Sequence, residues 1–455
     1  MEPSDALLSF RHSLYECLHR RGDALFELAD AILSADAAVP SPVHLSLQVP
    51  HRRGWGSLYA ALGRGRIDAE ALRRLLACHP LAQSGATPVY AVDVSVWPRC
   101  DAECSPERGY YYHPSRHSAG QPIVAGWAYQ FVAQLGFVRE SWTAPVDVER
   151  VLPAQDANVV ATQQIEALLG RLEAGGVVPL FVFDAGYDPV KVQRGLEGSR
   201  CQILLRLRAG RRFYGDPSLC DPPEHIGRPR RHGPKMKCND PSTWPEPSTE
   251  HHCEDAGYGS VRVRAWAELH PKVHNHERRG TRGPLPIVVG TLILVEVERL
   301  PRGERRREPR VLWLWWHGPE GTAPDLDLLW RSYVRRFDLE HTLRFLKQDM
   351  GWTTPRVRHP QQADSWSWLV VAAYTQLRLE LRLAREWVAE QRLPWERRYD
   401  RGRLTPVRVH RVVSSLLVEM GTPAKAPKPC GRSPGRPKGS LSGRAKRYPA
   451  IKKAA

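Results

Sequence analysis

The residues best suited to chemistry in this sequence are three carboxylates set far apart along the chain. Asp93 lies in Val89-Tyr90-Ala91-Val92-Asp93-Val94-Ser95-Val96-Trp97, whose β-branched content predicts a strand. Strand alternation puts Asp93 with Ala91, Ser95 and Trp97 on one side and the valines with Tyr90 on the other. Asp184 closes Val177–Phe183, a run apolar enough for a buried central strand. A carboxylate there needs a partner charge, a place at the sheet end, or a cation. Glu340 falls in a predicted helix, Asp327–Met350, in which Tyr333, Arg336, Glu340 and Lys347 stand at offsets 0, 3, 7 and 14 and so share one narrow face. That column of phenol, guanidinium, carboxylate and ammonium is either a solvated face braced by ion pairs or a meeting place for cations and phosphates. Three acids suit Mg²⁺, a hard ion that takes carboxylate oxygens and keeps several waters. Two such ions about 3.5–4 Å apart can activate an attacking oxygen and stabilise a leaving one in phosphodiester cleavage.

The bulk composition agrees with a phosphate-bearing partner. The net charge is +17 over 455 residues, and the stretch Thr422–Ala455 alone holds ten Lys or Arg and no acid. Each cationic contact to a nucleic-acid backbone releases condensed counterions, which makes DNA the natural partner of such a surface. No stretch reaches the roughly 18–20 apolar residues of a membrane span, and the N-terminus carries charges unlike a signal peptide. No membrane partner is expected, and the protein should be soluble and cytoplasmic. Nine cysteines in such a chain do not suggest a disulfide framework. Cys100 and Cys104, and the looser scatter Cys220, His225, His232, Cys238, His251, His252 and Cys253, leave room for a structural zinc, although the irregular spacing reads more as a surface loop.

The elements that must position the acids follow from pattern. Residues 1–85 read as helical, with Arg64, Arg66, Arg73 and Arg74 either touching DNA or lying on a packing helix. Strands are expected at 89–97, 121–136, 140–148, 177–184 and 201–208, with helices at 161–174 and 189–196, an α/β layer pattern. Residues 211–324 read as a β-rich insertion, with strands at 261–269, 287–297 and 311–316 and a basic turn at Pro301–Arg305. Helix returns at 327–350 and 361–391, a C-terminal helical region fills 391–421, and 422–455 is expected to be a disordered basic tail.

The pattern Tyr-x₂-Arg-x₃-Glu-x₆-Lys, filled by Tyr333, Arg336, Glu340 and Lys347, resembles the signature of bacterial cut-and-paste insertion-sequence transposases of the DDE type. Asp184-Ala185-Gly186-Tyr187 resembles the segment around their second acid, as do the spacings of 91 (184 − 93) and 156 (340 − 184) residues. The resemblance covers roughly residues 86–390. It implies an RNase H-like mixed sheet flanked by helices, interrupted by the insertion. It also implies two Mg²⁺ ions, replaceable by Mn²⁺, with Asp93 bridging both and Asp184 and Glu340 each serving one. Tyr333, Arg336 and Lys347 would then hold phosphates of double-stranded DNA at the element ends and target, and the enzyme would act as a homodimer on DNA. Trp313, Trp315 and Trp316 are candidates for stacking on a flipped base, or else core of the insertion. Arg436 and Lys438, in Pro434-Gly435-Arg436-Pro437-Lys438-Gly439, resemble a minor-groove hook or serve as a nonspecific tether.

Other classes remain open on the sequence: an inactive or domesticated copy that only binds DNA, an RNase H-like nuclease, and a zinc-dependent regulator. The Tyr–Arg–Glu–Lys column argues against a simple nuclease, and the basic surface against a glycosidase.

Overall fold

The computed structural model describes residues 5–35, 38–81, 87–113, 122–138, 141–172, 177–220, 230–273, 285–301, 311–381, 384–386, 404–429, 437–439, 443 and 445–451. In chain order the elements begin with α1 (Asp5–Glu16), β1 (Leu18–Arg20), α2 (Gly22–Leu33), α3 (Pro42–Leu45), α4 (Gly56–Arg64), β2 (Arg66–Ile67) and α5 (Ala69–Ala77). Strands β3 (Val89–Pro98), β4 (Gly109–Tyr112), β5 (Ile123–Leu135) and β6 (Thr143–Val151) come next. Then follow α6 (Ala157–Leu169), β7 (Leu180–Phe183), α7 (Pro189–Gly195), β8 (Gln202–Leu207), β9 (Arg212–Tyr214), β10 (Lys235–Lys237), β11 (Thr249–Asp255), β12 (Gly259–Pro271), β13 (Gly290–Val297) and β14 (Val311–His317). Helices α8 (Leu326–Arg335), α9 (Phe337–Gln348), α10 (Pro360–Leu379) and α11 (Pro406–Met420) complete the described elements. The architecture is mixed α/β.

The chain divides into two compact units. The first comprises Met1–Ser84, Val94–Asp156 and Asp338–Ala455, and the second Gly85–Asp93 and Ala157–Phe337, so the division falls inside β3 and at the head of α9.

The first unit is built round α10, whose residues from Trp366 to Arg378 are all buried. A helix apolar on every side must be covered on every side, and α10 packs against α1, α2, α4 and β6. Helix α2 is buried from Ala24 to Leu33, acids included. Its Asp30 accepts from the Arg11 guanidinium at 2.7 Å, and Arg11 also donates to Gln376 Oε1 at 2.7 Å. Arg73 donates to Asp147 Oδ1 at 2.7 Å and lies over the Trp368 ring, which makes it a packing arginine, while Arg64, Arg66 and Arg74 are exposed. Strand β5 pairs with β4 and β6. At Gly126 an added Cβ would stand 2.3 Å from the Trp97 carbonyl oxygen, so only glycine lets these two backbones approach. Part of the tail expected to be disordered has a place here: the Tyr448 and Ile451 amides donate to Glu103 O and Arg108 O, both at 2.7 Å.

In the second unit β3, β7 and β8 run parallel. Strand β14 pairs antiparallel with β8, and β13, β12, β9 and β10 extend the sheet, with β11 paired to β12. The β-rich segment therefore continues this sheet. Its strands β9, β10 and β11 lie where the sequence reads as Pro/Gly-rich loop. Strands β13 and β14, which flank the basic turn expected at Pro301–Arg305, pair antiparallel as a hairpin would, but most of that turn lies outside the described residues.

All three tryptophans of β14 are buried, at 4%, 0% and 5% exposure for Trp313, Trp315 and Trp316. Trp315 stacks on Phe213 with centroids 5.2 Å apart and donates its indole N–H to Gln193 Oε1 at 3.1 Å. Trp316 donates to Gln202 Oε1 at 3.1 Å, and Trp313 packs on Trp244 and Trp266. The core alternative describes them, since no indole face is open to a base. Replacing Trp315 with Ala should cost about 3–5 kcal/mol, the usual toll for a large buried aromatic. A lowered denaturant midpoint would show it, and an unchanged midpoint would contradict this packing.

Candidate active site

The two aspartates are brought together by strand register. Val89–Val92 of β3 pair in parallel with Leu180–Phe183 of β7, residue for residue. The next position on each strand is Asp93 and Asp184. Parallel neighbours lie about 4.8 Å apart, so the two carboxylates emerge side by side although 91 residues (184 − 93) separate them in sequence. Both are half-buried. Every residue of β7 is buried, which ends the strand at the first group able to leave the apolar layer. The chain turns there: the Gly186 amide donates to Asp184 Oδ1 at 2.8 Å, and an added Cβ on Gly186 would sit 3.0 Å from that oxygen. Asp188 then caps α7, accepting from the Val190 and Lys191 amides at 3.0 and 3.1 Å.

The cation facing Asp93 comes from the end of α8. Arg336 Nη1 donates to Asp93 Oδ2 at 3.3 Å, with 4% of the arginine side chain and 17% of the aspartate exposed. Its guanidinium lies 5.7 Å from the Tyr333 ring and 5.2 Å from Phe337. Tyr187 completes the group. Burial, then the charges of Asp93 and Asp184, push its phenol well above the ordinary range, and Arg336 pulls it down. Tyr333 is buried too; burial raises its phenol, and Arg336 and Arg206 lower it. The phenols stay protonated at neutral pH and add no negative charge to that of the aspartates.

This arrangement suits a divalent cation. Two half-buried carboxylates at adjoining strand positions offer hard oxygen donors on one spot. Tyr187 appears in the sequence pattern only as the aromatic after Gly186; its place against both acids comes from the fold. Arg206 has no part in the sequence pattern, and its one signal is being the only charged residue in the β8 run Gln-Ile-Leu-Leu-Arg-Leu.

The expected single helix 327–350 is two helices. The Arg336 amide donates to both Ser332 O at 3.1 Å and Tyr333 O at 3.3 Å, so the last turn tightens and α8 stops. Helix α9 restarts at Phe337. Tyr333 and Arg336 therefore stand with the aspartates in the second unit, while Glu340 and Lys347 belong to α9 in the first. Leu339, Thr342, Leu343 and Leu346 bury one side of α9, and Thr342 meets Thr143 at 2.9 Å and Tyr374 at 3.3 Å. Glu340 is half-buried, and Lys347 Nζ lies 5.8 Å from the Trp352 ring centroid.

Of the cysteine and histidine scatter, His251 and Cys253 meet Asp327, with ligand atoms within 4.8 Å of one another. Arg331 already supplies a cation there: Nε donates to Asp327 at 2.9 and 3.0 Å, Nη1 to Asp255 at 3.0 Å, and Nη2 lies 3.9 Å from Cys253 Sγ. Among the described residues all eight cysteines are free. Lys438 is exposed. Arg436 and His225 lie outside the described residues.

Asp93 within β3 and Asp184 just past β7 give this α/β protein a pair of carboxylates on adjoining parallel strands, a place able to gather a cation. The chain belongs to the DDE superfamily endonuclease family, whose model matches residues 13–272. That span takes in Asp93 and Asp184 and stops before α8. Among solved structures, a piggyBac transposase in a synaptic complex with hairpin DNA is similar at 11% identity and a TM-score of 0.34. The match covers 82% of this chain and 57% of that one, so this chain accounts for little more than half of that protein. No curated protein matches the chain. No described helix is long and apolar enough to cross a membrane.

The Tyr187 phenol gives a pH test. Its folded value is raised, so its contribution to stability is complete below the unfolded value near 10 and is lost as pH climbs toward the folded one. Between those values the wild type should lose up to roughly a tenfold in folding equilibrium per pH unit through this proton. Tyr187→Phe should flatten the alkaline fall by that share. Identical alkaline slopes in the two proteins would show that the phenol is not held as described.

Proposed function

We propose that this chain is a metal-dependent DDE transposase that cuts double-stranded DNA at the ends of an insertion element and joins the freed strand to target DNA. The observation that carries the reading is that Asp93 and Asp184 are the matching residues directly after the last β3–β7 pair, Val92 with Phe183. Family membership supports the chemistry. The parallel order of β3, β7 and β8 supports an RNase H-like core, with residues 211–324 as its β-rich insertion.

In this reading Asp93, Asp184 and Glu340 hold the metal, Mg²⁺ with Mn²⁺ as substitute. Two such ions, when bound, supply the Lewis acidity that activates the attacking oxygen and steadies the leaving one. The chain's own residues do the rest. Asp93 is oriented by the Arg336 guanidinium, which keeps one oxygen turned toward α8. Tyr187 holds its proton and so leaves the carboxylates as the anionic groups of the site. Tyr333 packs against the Arg336 guanidinium, and because both side chains are buried the pair braces Asp93 instead of holding the phosphate that the sequence pattern implies for it. Lys347, on the last turn of α9, meets a phosphate as a point charge, and Arg436 and Lys438 tether the tail to DNA. The enzyme works as a homodimer on two element ends. The indoles of β14 take no part in base capture.

A nuclease that cuts without joining is the second reading, because the family is described by endonuclease activity alone. One assay separates the two. A labelled duplex carrying the element boundary is incubated with Mg²⁺ or Mn²⁺ and a target plasmid. Wild type should nick at the boundary and give joined product. Asp93→Asn, Asp184→Asn and Glu340→Gln should each lose more than about 100-fold in cutting, beyond what loss of an outer-shell partner costs, while still binding DNA. Nicks without joined product would select the nuclease. Full activity in any of the three variants would remove that residue from the site.

A further inference from the structure

The first unit contains an arginine-lined pocket that none of the chemistry above uses. It is an open hollow of about 490 Å³ between the end of β3, the segment 100–105, the segment before α10 and the tail. Arg99 forms its floor, 6% exposed, with Nη1 donating to Val357 O and Nε 3.5 Å from Asp101. Behind it Arg108, 4% exposed, spends its donors on three carbonyls: Ser105 O at 3.1 Å, Arg99 O at 3.0 Å and Tyr448 O at 2.8 Å. Arg356, Arg358 and Arg447 line the rim and are exposed.

The charges do not balance. Asp101 and Glu103 are the acids lining the pocket, and Glu103 already faces Arg447 at 3.4 Å. Among the described residues the lining thus sets four guanidiniums against two carboxylates. Burial holds the Arg99 guanidinium below its ordinary value, Asp101 raises it, and the like charges of Arg108 and Arg356 lower it again. A buried cation among cations is costly unless an anion joins it. Guanidinium forks match the oxygens of a phosphate, and several converging on one pocket select for it.

We propose that this pocket docks a backbone phosphate of duplex DNA, gripped by Arg356, Arg358 and Arg447 above Arg99. The assignment of DNA, rather than free phosphate, rests on the reading of the chain as a DNA-acting enzyme. Through Arg447 the described part of the tail would then form one wall of a defined binding site.

The test uses the full chain and no divalent metal, so that binding is read apart from cutting. Arg356→Gln, Arg358→Gln and Arg447→Gln are combined, leaving the buried Arg99 and Arg108 in place. Anisotropy of a labelled duplex of arbitrary sequence is followed across roughly 50 to 200 mM salt. The slope of log K against log salt should shrink by about 0.9 for each phosphate that the variant no longer neutralises. The matching triple Arg→Lys variant should recover the slope. A Gln triple that is folded by circular dichroism yet keeps the wild-type slope overturns the proposal. So does an unchanged slope combined with a rise in Tm on adding inorganic phosphate to wild type alone, which would assign the pocket to a free anion. A reduced slope in a protein that never cuts DNA would sustain the pocket and count against the catalytic reading only.

Discussion

Two negative charges held at adjoining positions of parallel strands are the condition the second unit must satisfy. Carboxylates on adjoining strands, whose backbones lie about 4.8 Å apart, crowd like groups together. The β3–β7 register allows no separation, because moving either strand by one residue would turn its side chains to the other face. The answer visible in the protein is Arg336, 243 residues along the chain from Asp93. Bringing it there requires the sheet to be extended through β14 and the chain to return through α8. The break after α8 belongs to the same solution, since a helix running straight on would have no reason to stop where its arginine meets the acid.

Arginine serves two purposes in this protein, and the total charge does not distinguish them. Arg11 with Asp30, Arg73 with Asp147, and Arg150 with Asp364 tie distant segments of the first unit together through buried or half-buried pairs. These are stabilising only as pairs, because either partner alone would be a stranded charge. The arginines of the pocket at the end of β3 have no such balance of acids. A net charge of +17 therefore overstates neither role but describes neither one alone.

Much of the architecture was legible because apolar period and β-branched content are local properties. The strands at 89–98, 123–135, 180–183, 202–207 and 311–317 sit within a few residues of where the pattern puts them. Asp93 and Asp184 stood out for the same reason, as acids in apolar runs. Their adjacency was not legible, since register is a property of two strands and neither sequence contains it. The break at Arg336 was hidden because the 3.6-residue pattern runs through it, and the interruption depends on what the side chain meets in space. Strands β9 to β11 were hidden for the opposite reason: polar and rich in proline nearby, they are strands because β12 offers an edge to β9 and β11, and β9 offers one to β10. The tryptophans of β14 show the limit of composition. Large aromatics in an apolar strand fit a core and a binding platform equally well until Phe213, Gln193 and Gln202 are known to cover them.

The seam between β8 and β14 has a consequence for how such a chain could change over generations. Leu207 faces Trp313 across that seam, so a path of 106 residues (313 − 207) leaves and returns at neighbouring points. Closing a long loop costs little more than closing a short one, the increment growing only with the logarithm of length. The strands carrying the two aspartates are thus indifferent to the size of what lies beyond β14. Evolution could lengthen, trim or exchange that excursion as a cassette, provided the last strand came home antiparallel to β8 and delivered the chain to α8.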